Sequence, residues 1–115
     1  MRTEKILEVV ALYRMQLEAA DIAKVRMDPS KTGADLTQIQ MLEHAHWLLD
    51  GIIEYAQDST KVGKTGRHLA SVQMFLLFAG WFTLNELMEH NRPDSTPRRT
   101  HEDFFKNPYK HHSSD

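Results

Sequence analysis

The chain contains no cysteine. Disulfide staples, thiolate metal ligands and cysteine nucleophiles are therefore excluded, a pattern compatible with a reducing compartment. Long apolar runs are missing as well. The longest, Met74 to Phe82, spans nine residues, where a membrane-crossing helix needs about 20. An excess of one charge is also absent: 14 Lys and Arg stand against 16 Asp and Glu, for a formal net charge of −2. Such a chain has no global attraction to nucleic acid or to an anionic membrane. The first residues lack the basic start, apolar stretch and small-residue cleavage site of a secretory signal. No Gly-x-Ser-x-Gly elbow accompanies the serines, so nucleophilic catalysis has no support. From these absences we expect a cytoplasmic, non-enzymatic protein with no membrane partner, no cofactor and no catalytic residues.

What is present is helical patterning. At 115 residues and 41% hydrophobic content, the chain can form one domain with a modest core. We expect a helical bundle domain over residues 1–92 and a C-terminal tail over 93–115. The tail is polar, proline-punctuated and aperiodic, the composition of an extended or disordered segment. Phe104, Phe105 and Tyr109 are its exceptions.

A first helix is predicted from about Thr3, as N-cap, to Ala20. Ile6, Val9, Val10, Tyr13, Leu17 and Ala20 recur at helical spacing on one side. Asp21 to Leu36 reads as a connector, with turn signals at Asp28-Pro29 and Thr32-Gly33. Its Ile22, Val25 and Met27 are candidates to dock on the core. Thr37 to Gln40 matches a capping box, and Met41, Leu42, Ala45, Leu48, Leu49, Ile52 and Ala56 follow as a wide stripe. Gly51 lies inside this second helix, where it suggests close packing. Asp58-Ser59 and Gly63 mark its exit.

The third helix is predicted to begin near Thr65 or Gly66. Leu69, Val72, Leu76 and Ala79 form its primary face, and Phe75, Leu77 and Phe78 carry the apolar surface almost all round. A helix of that kind is expected to be enclosed by other helices. Gly80 is placed as the left-handed residue that ends it. Thr83 to Glu86 forms a second capping box and opens a short fourth helix, which Asn91-Arg92-Pro93 stops. The fold expected is an all-α small bundle of three main helices, a short fourth helix and an irregular tail.

Three segments together resemble a family of small bacteriophage and prophage proteins of unassigned function. They are Tyr13-Arg14 through Arg26-Met27-Asp28-Pro29; Glu43-His44 through Trp47-Leu48-Leu49-Asp50; and Arg67, Leu69, Val72-Gln73, Leu76 and Gly80, followed by Thr83-Leu84-x-Glu86-Leu87 and His90-Asn91-Arg92-Pro93. The chain departs from the family pattern at His68, Ala70 and Met74. The resemblance implies an all-helical domain of phage origin, acting in the host-cell cytoplasm. It supplies no catalytic residues.

Several constellations imitate chemistry. Glu43-x-x-His46, extended by Asp50, has the carboxylate–imidazole spacing of a metal pair on a helix. A di-iron bundle would need a second such motif and more glutamates, and helical angles put the three beside the apolar stripe, so no metal is expected. Gly63-Lys64-Thr65 resembles the end of a phosphate-binding loop, but Asp58 stands where a glycine is required. The helix–glycine–helix pattern at Gly80 resembles a helix-turn-helix, but its second helix carries Glu86 and Glu89, which phosphates repel. Arg67, His68 and Gln73 are candidates for a ligand site at the start of the third helix, where backbone N–H groups favour an anion. Gln73 otherwise suits a buried position, bonded to backbone near a helix end.

Trp47 and Tyr55 lie on the side of the second helix away from Leu42, Leu49 and Ile52. Tryptophan and tyrosine left outside a core are the residue types that anchor interfaces. With Phe104, Phe105 and Tyr109 they are the expected partner-binding residues. The function expected is protein–protein interaction, with self-association or a host protein as partner. A small-molecule or metal-binding bundle is the alternative, and a nucleic-acid-binding regulator a weaker one.

Overall fold

The computed structural model describes residues 1–93. It contains four α-helices: α1 Thr3–Ala19, α2 Gln38–Ala56, α3 Val62–Phe78 and α4 Leu84–Asn91. The all-α expectation is met. Phe104, Phe105 and Tyr109 lie outside the described residues.

The helix ends follow local chemistry. Both capping boxes form. Thr37 Oγ1 accepts from the Gln40 N–H at 3.1 Å, and Gln40 Oε1 returns a bond to the Thr37 N–H at 2.9 Å. Thr83 and Glu86 do the same at 3.2 and 2.8 Å. Thr3 does not cap. It is the first helical residue, and Arg2 takes the cap position with no side-chain bond. The residue three beyond Thr3 is Ile6, which has nothing to give back, so the reciprocal half of the motif is missing.

Gly80 has φ +83° and closes α3 as expected. Trp81 N–H bonds to the Leu76 carbonyl and Gly80 N–H to that of Leu77, the paired bonds of a Schellman end. The same motif ends α1, where Ile22 N–H reaches Leu17 O and Asp21 N–H reaches Glu18 O. Here the left-handed position is held by Asp21, at φ 59°, the only described residue other than glycine with a positive φ.

α3 begins three residues before the expected start. Asp58 accepts from both the N–H and the hydroxyl of Thr60, and this organises a 3₁₀ turn over Ser59–Lys61 that runs straight into the helix. Thr65 Oγ1 then donates back to Lys61 O at 2.8 Å. Gly63 and Gly66 are thus helical residues rather than punctuation; each costs about 1 kcal/mol relative to alanine, which tertiary packing outweighs.

The core lies where α1, α2 and α3 meet. Ile6, Val9, Tyr13 and Leu17 of α1 close on Leu42, Ala45, Leu49 and Ile52 of α2 and on Leu69, Val72 and Leu76 of α3. Trp81, Phe82 and Leu87 complete it from the α3–α4 corner. A fully buried aliphatic or aromatic side chain contributes about 1.5–3 kcal/mol, so these stripes carry most of the stability. α2 and α3 form the most extensive pair. They run antiparallel, as contacts between Gln38 and Ala79, His44 and Phe75, and Tyr55 and His68 show. Gly51 does not mark a close approach: a Cβ there would meet its nearest atom at 3.9 Å.

The enclosure expected of the third helix is incomplete. Phe75 and Leu77 are half-buried against the core, but Phe78 is 71% exposed and Met74 is also open. α1, α2 and α4 cover the inner side of α3 and leave its outer side uncovered among the described residues. Val25 is likewise exposed; its N–H docks on Glu43 O, while its side chain does not reach the core.

Candidate interaction surface

Two polar assemblies explain most of the candidate residues. The first is buried. Gln73 reaches between α1 and α4, donating to Tyr13 Oη at 3.0 Å and exchanging two bonds with Asn91 at 2.8 and 3.0 Å. Tyr13 in turn donates to His90 Nδ1 at 2.7 Å. The rings of Tyr13, Phe82 and His90 pack around this chain of bonds. Burial drives the Tyr13 hydroxyl pKa well above that of a free tyrosine, against the opposing effect of the Gln73 bond. The group stays protonated and serves as a fixed donor. Gln73 therefore has side-chain partners rather than the backbone partners expected. It also sits apart from Arg67 and His68, so that trio does not form one ligand site. Because α3 starts at Val62, Arg67 and His68 lie in its second turn, beyond the free N–H groups of the first.

The second assembly fastens the connector to α2. His46 is 3% exposed and sits deeper than the flanking position expected. Its Nδ1–H donates to Ile22 O at 2.8 Å, and Nε2 faces Arg14 at 3.5 Å. His44 Nδ1 accepts the Met27 N–H at 3.0 Å. Both rings are neutral in these roles. Burial lowers the pKa of each, helped by the charge of Arg26 at His44 and those of Arg14 and Lys24 at His46. Asp50 bonds Arg14 and Lys24. Its partial burial works to raise its pKa, but these two cations outweigh that and hold it below the ordinary carboxylate value. Among the described residues no group of three His, Asp or Glu side chains, Glu43, His46 and Asp50 included, is placed to hold a metal.

What remains is the outer face of the α2–α3 pair. On α2 the flank is His44, Leu48, Gly51 and Tyr55, with Trp47 standing beside it. On α3 it is Lys64, Arg67, His68, Ser71 and Phe75. The register of 3.6 residues per turn puts each set in a row. Between the rows lie two shallow adjoining depressions, of about 290 and 360 Å3, that share Leu48 and His68. Trp47 is 41% exposed and stacks on His44 with centroids 5.5 Å apart. His44 meets the edge of Phe75 at 5.1 Å, and Tyr55 meets His68 at the same distance. Cations cover the rings: Arg26 lies 5.7 Å from the Trp47 centroid, and Lys61 and Lys64 lie 5.3 and 4.4 Å from that of Tyr55.

A larger hollow of about 750 Å3 lies between the start of α1 and Asn91–Pro93. Its charged groups pair with one another, Arg2 with Glu4 at 3.6 Å and Lys5 with Glu8 at 3.9 Å, and it borders the end of the described residues.

Trp47 and Tyr55 were identifiable from residue type and helical angle. His44, Phe75, Lys64 and Arg26 were missed as their neighbours. The i, i+4, i+7, i+11 row from His44 to Tyr55 was the available signal on α2; nothing local links Arg26 to Trp47. Compared with known protein families, with curated proteins and with solved structures, the chain matches none.

Proposed function

We propose that this chain is a non-enzymatic interaction module that docks a partner protein on the aromatic α2–α3 face. The carrying observation is Trp47: a tryptophan 41% exposed, flanked by His44 and Arg26, that lines one of the two adjoining depressions. Preorganised aromatic side chains beside hollows are the anchors of protein interfaces. The phage-like segments extend the proposal to a host protein as target, in takeover of the host or evasion of its defences. Tyr55 belongs to the same surface, and Phe104, Phe105 and Tyr109 remain proposed contacts from the tail.

The test is affinity purification from cells that naturally contain the protein, with Trp47→Ala as the control. Wild type should retain a stoichiometric protein partner that the variant loses. The variant's thermal unfolding should stay within about 1 kcal/mol of wild type, because the ring fills no core space. A partner retained equally by both would overturn the assignment.

A further inference from the structure

The charges around the aromatic face are not balanced among the described residues. Among the described residues Arg2, Lys5, Arg14, Lys24 and Arg92 each have a carboxylate within ion-pair distance. Arg26, Lys31, Lys61, Lys64 and Arg67 have none; Lys31 sits in the connector beside Asp28, and the other four border this one surface. Three of them lie over its rings. The fourth, Arg67, lines the depression between His44 and Phe75 and is exposed. Lys61 feels the charge of Asp58 at a distance, without pairing. Asp50 is taken up by Arg14 and Lys24, which leaves Glu43 and Glu54 as the acids on the outer side of α2. The face is therefore net positive on a chain that is net negative. Its middle is apolar: Trp47, Leu48, Phe75 and, one turn on, the exposed Phe78.

Resting on the interaction reading above, we propose that the occupant of this face is an acidic amphipathic helix of another protein. It would lie between α2 and α3 with apolar residues at i, i+3, i+4 and i+7, and its carboxylates would meet Lys64, Arg67 and Arg26. The shape supports a helix. Two antiparallel helices leave a groove between their ridges into which a third packs, and the described residues offer no sheet edge to extend. From Lys64 to Phe78 the groove runs about 21 Å, long enough for some two heptads of partner. The charge supports acid. Cations already desolvated on one side by an aromatic ring gain a charge-assisted bond where the described residues supply none. Single-stranded nucleic acid also combines stacking with positive charge; a helix, unlike a continuous phosphate chain, can keep its carboxylates toward α3 and away from Asp50 and Glu54 at the α2 side.

The test uses the full chain against a displayed library of helical peptides about as long as the groove. Selected peptides should be rich in Asp and Glu flanking Leu, Phe or Trp at helical spacing, and binding should weaken as salt rises. Trp47→Ala should weaken them more than tenfold. Lys64→Glu with Arg67→Glu should do the same and shift selection toward Lys- and Arg-rich peptides. Arg67→Glu alone, at an exposed position, guards against loss of folding, with helical content checked by circular dichroism. If Trp47→Ala abolishes binding and charge reversal changes nothing, the acidic partner is refuted while the interaction reading stands. If no Trp47-dependent peptide is enriched, both fall. Trp47-dependent binding of oligothymidylate would replace the peptide by a single strand. A dimer in sedimentation equilibrium, dissociated by Trp47→Ala, would replace it by a second copy of this chain.

Discussion

The two sides of α3 use the same vocabulary to opposite ends. Inward, Gln73 joins Tyr13, His90 and Asn91 through bonds of 2.7 to 3.0 Å. Outward, His68, Phe75, Lys64 and Arg67 meet the rings of α2 or open water, and the cations there have no carboxylate among the described residues. A buried polar group must be satisfied within the fold, at about 1–3 kcal/mol for each failure. A surface cation beside an aromatic ring has no such obligation. Polar residues whose partners are all internal are holding helices together, whereas those left over stand at the surface.

The sharpest way to break this contrast is Tyr13→Ala. It removes a fully buried ring and strands Gln73 and His90, so unfolding in urea should show a loss of about 4 kcal/mol. A loss below about 1 kcal/mol would mean that the inner network is dispensable.

Acidification probes the boundary between the two regions, where His44 and His46 hold the connector. Both have folded pKa values lowered from 6.5. The unfolded chain therefore binds more protons in the window from about 6.5 down to those lowered values. Stability is fully present above about 6.5 and falls as pH drops through that window. Replacing both histidines by glutamine should flatten the slope of melting temperature against pH. The lowered carboxylates of Asp28, Asp50 and Asp58 act only in a separate window, below their ordinary value of 3.8.

The smallest effect is expected at Phe78→Ser. At 71% exposure the ring fills no core space, so stability should change by no more than about 0.5 kcal/mol. A larger loss, seen in the same urea titration, would place this ring inside an assembly of the free protein.

What could be read from the residues alone follows from range. Both capping boxes were legible because each bond spans three residues. Gly80 was legible because a left-handed residue after an apolar helix has few alternatives. The stripes of α1 and α2 were legible from periodicity. Gln73 was placed inside correctly, but its partners lie 60 and 18 residues away and leave no local trace. The Glu43–His46–Asp50 spacing imitates a metal pair, yet His44 and His46 fasten the backbone of Met27 and Ile22, a role set only by where the connector crosses. The start of α3 was misplaced because Asp58-Ser59 and Gly63 were read only as the exit from α2, whereas the Asp58 turn leads directly into the next helix. Its enclosure was overstated because an apolar side chain looks the same in sequence whether a neighbouring helix covers it or it stands at the surface.

The left-handed turn at Asp21 has a practical side. Gly80 occupies the equivalent corner of α3 without steric penalty, whereas Asp21 bears both that penalty and an acidic group at the negative end of a helix. Asp21→Gly should therefore raise stability by about 1 kcal/mol, visible as a higher melting temperature. Asp21 itself belongs to neither the ring contacts of Trp47 nor the tyrosine–glutamine cluster. The substitution offers a strengthened parent in which damaging substitutions at either place can be studied in protein that still folds.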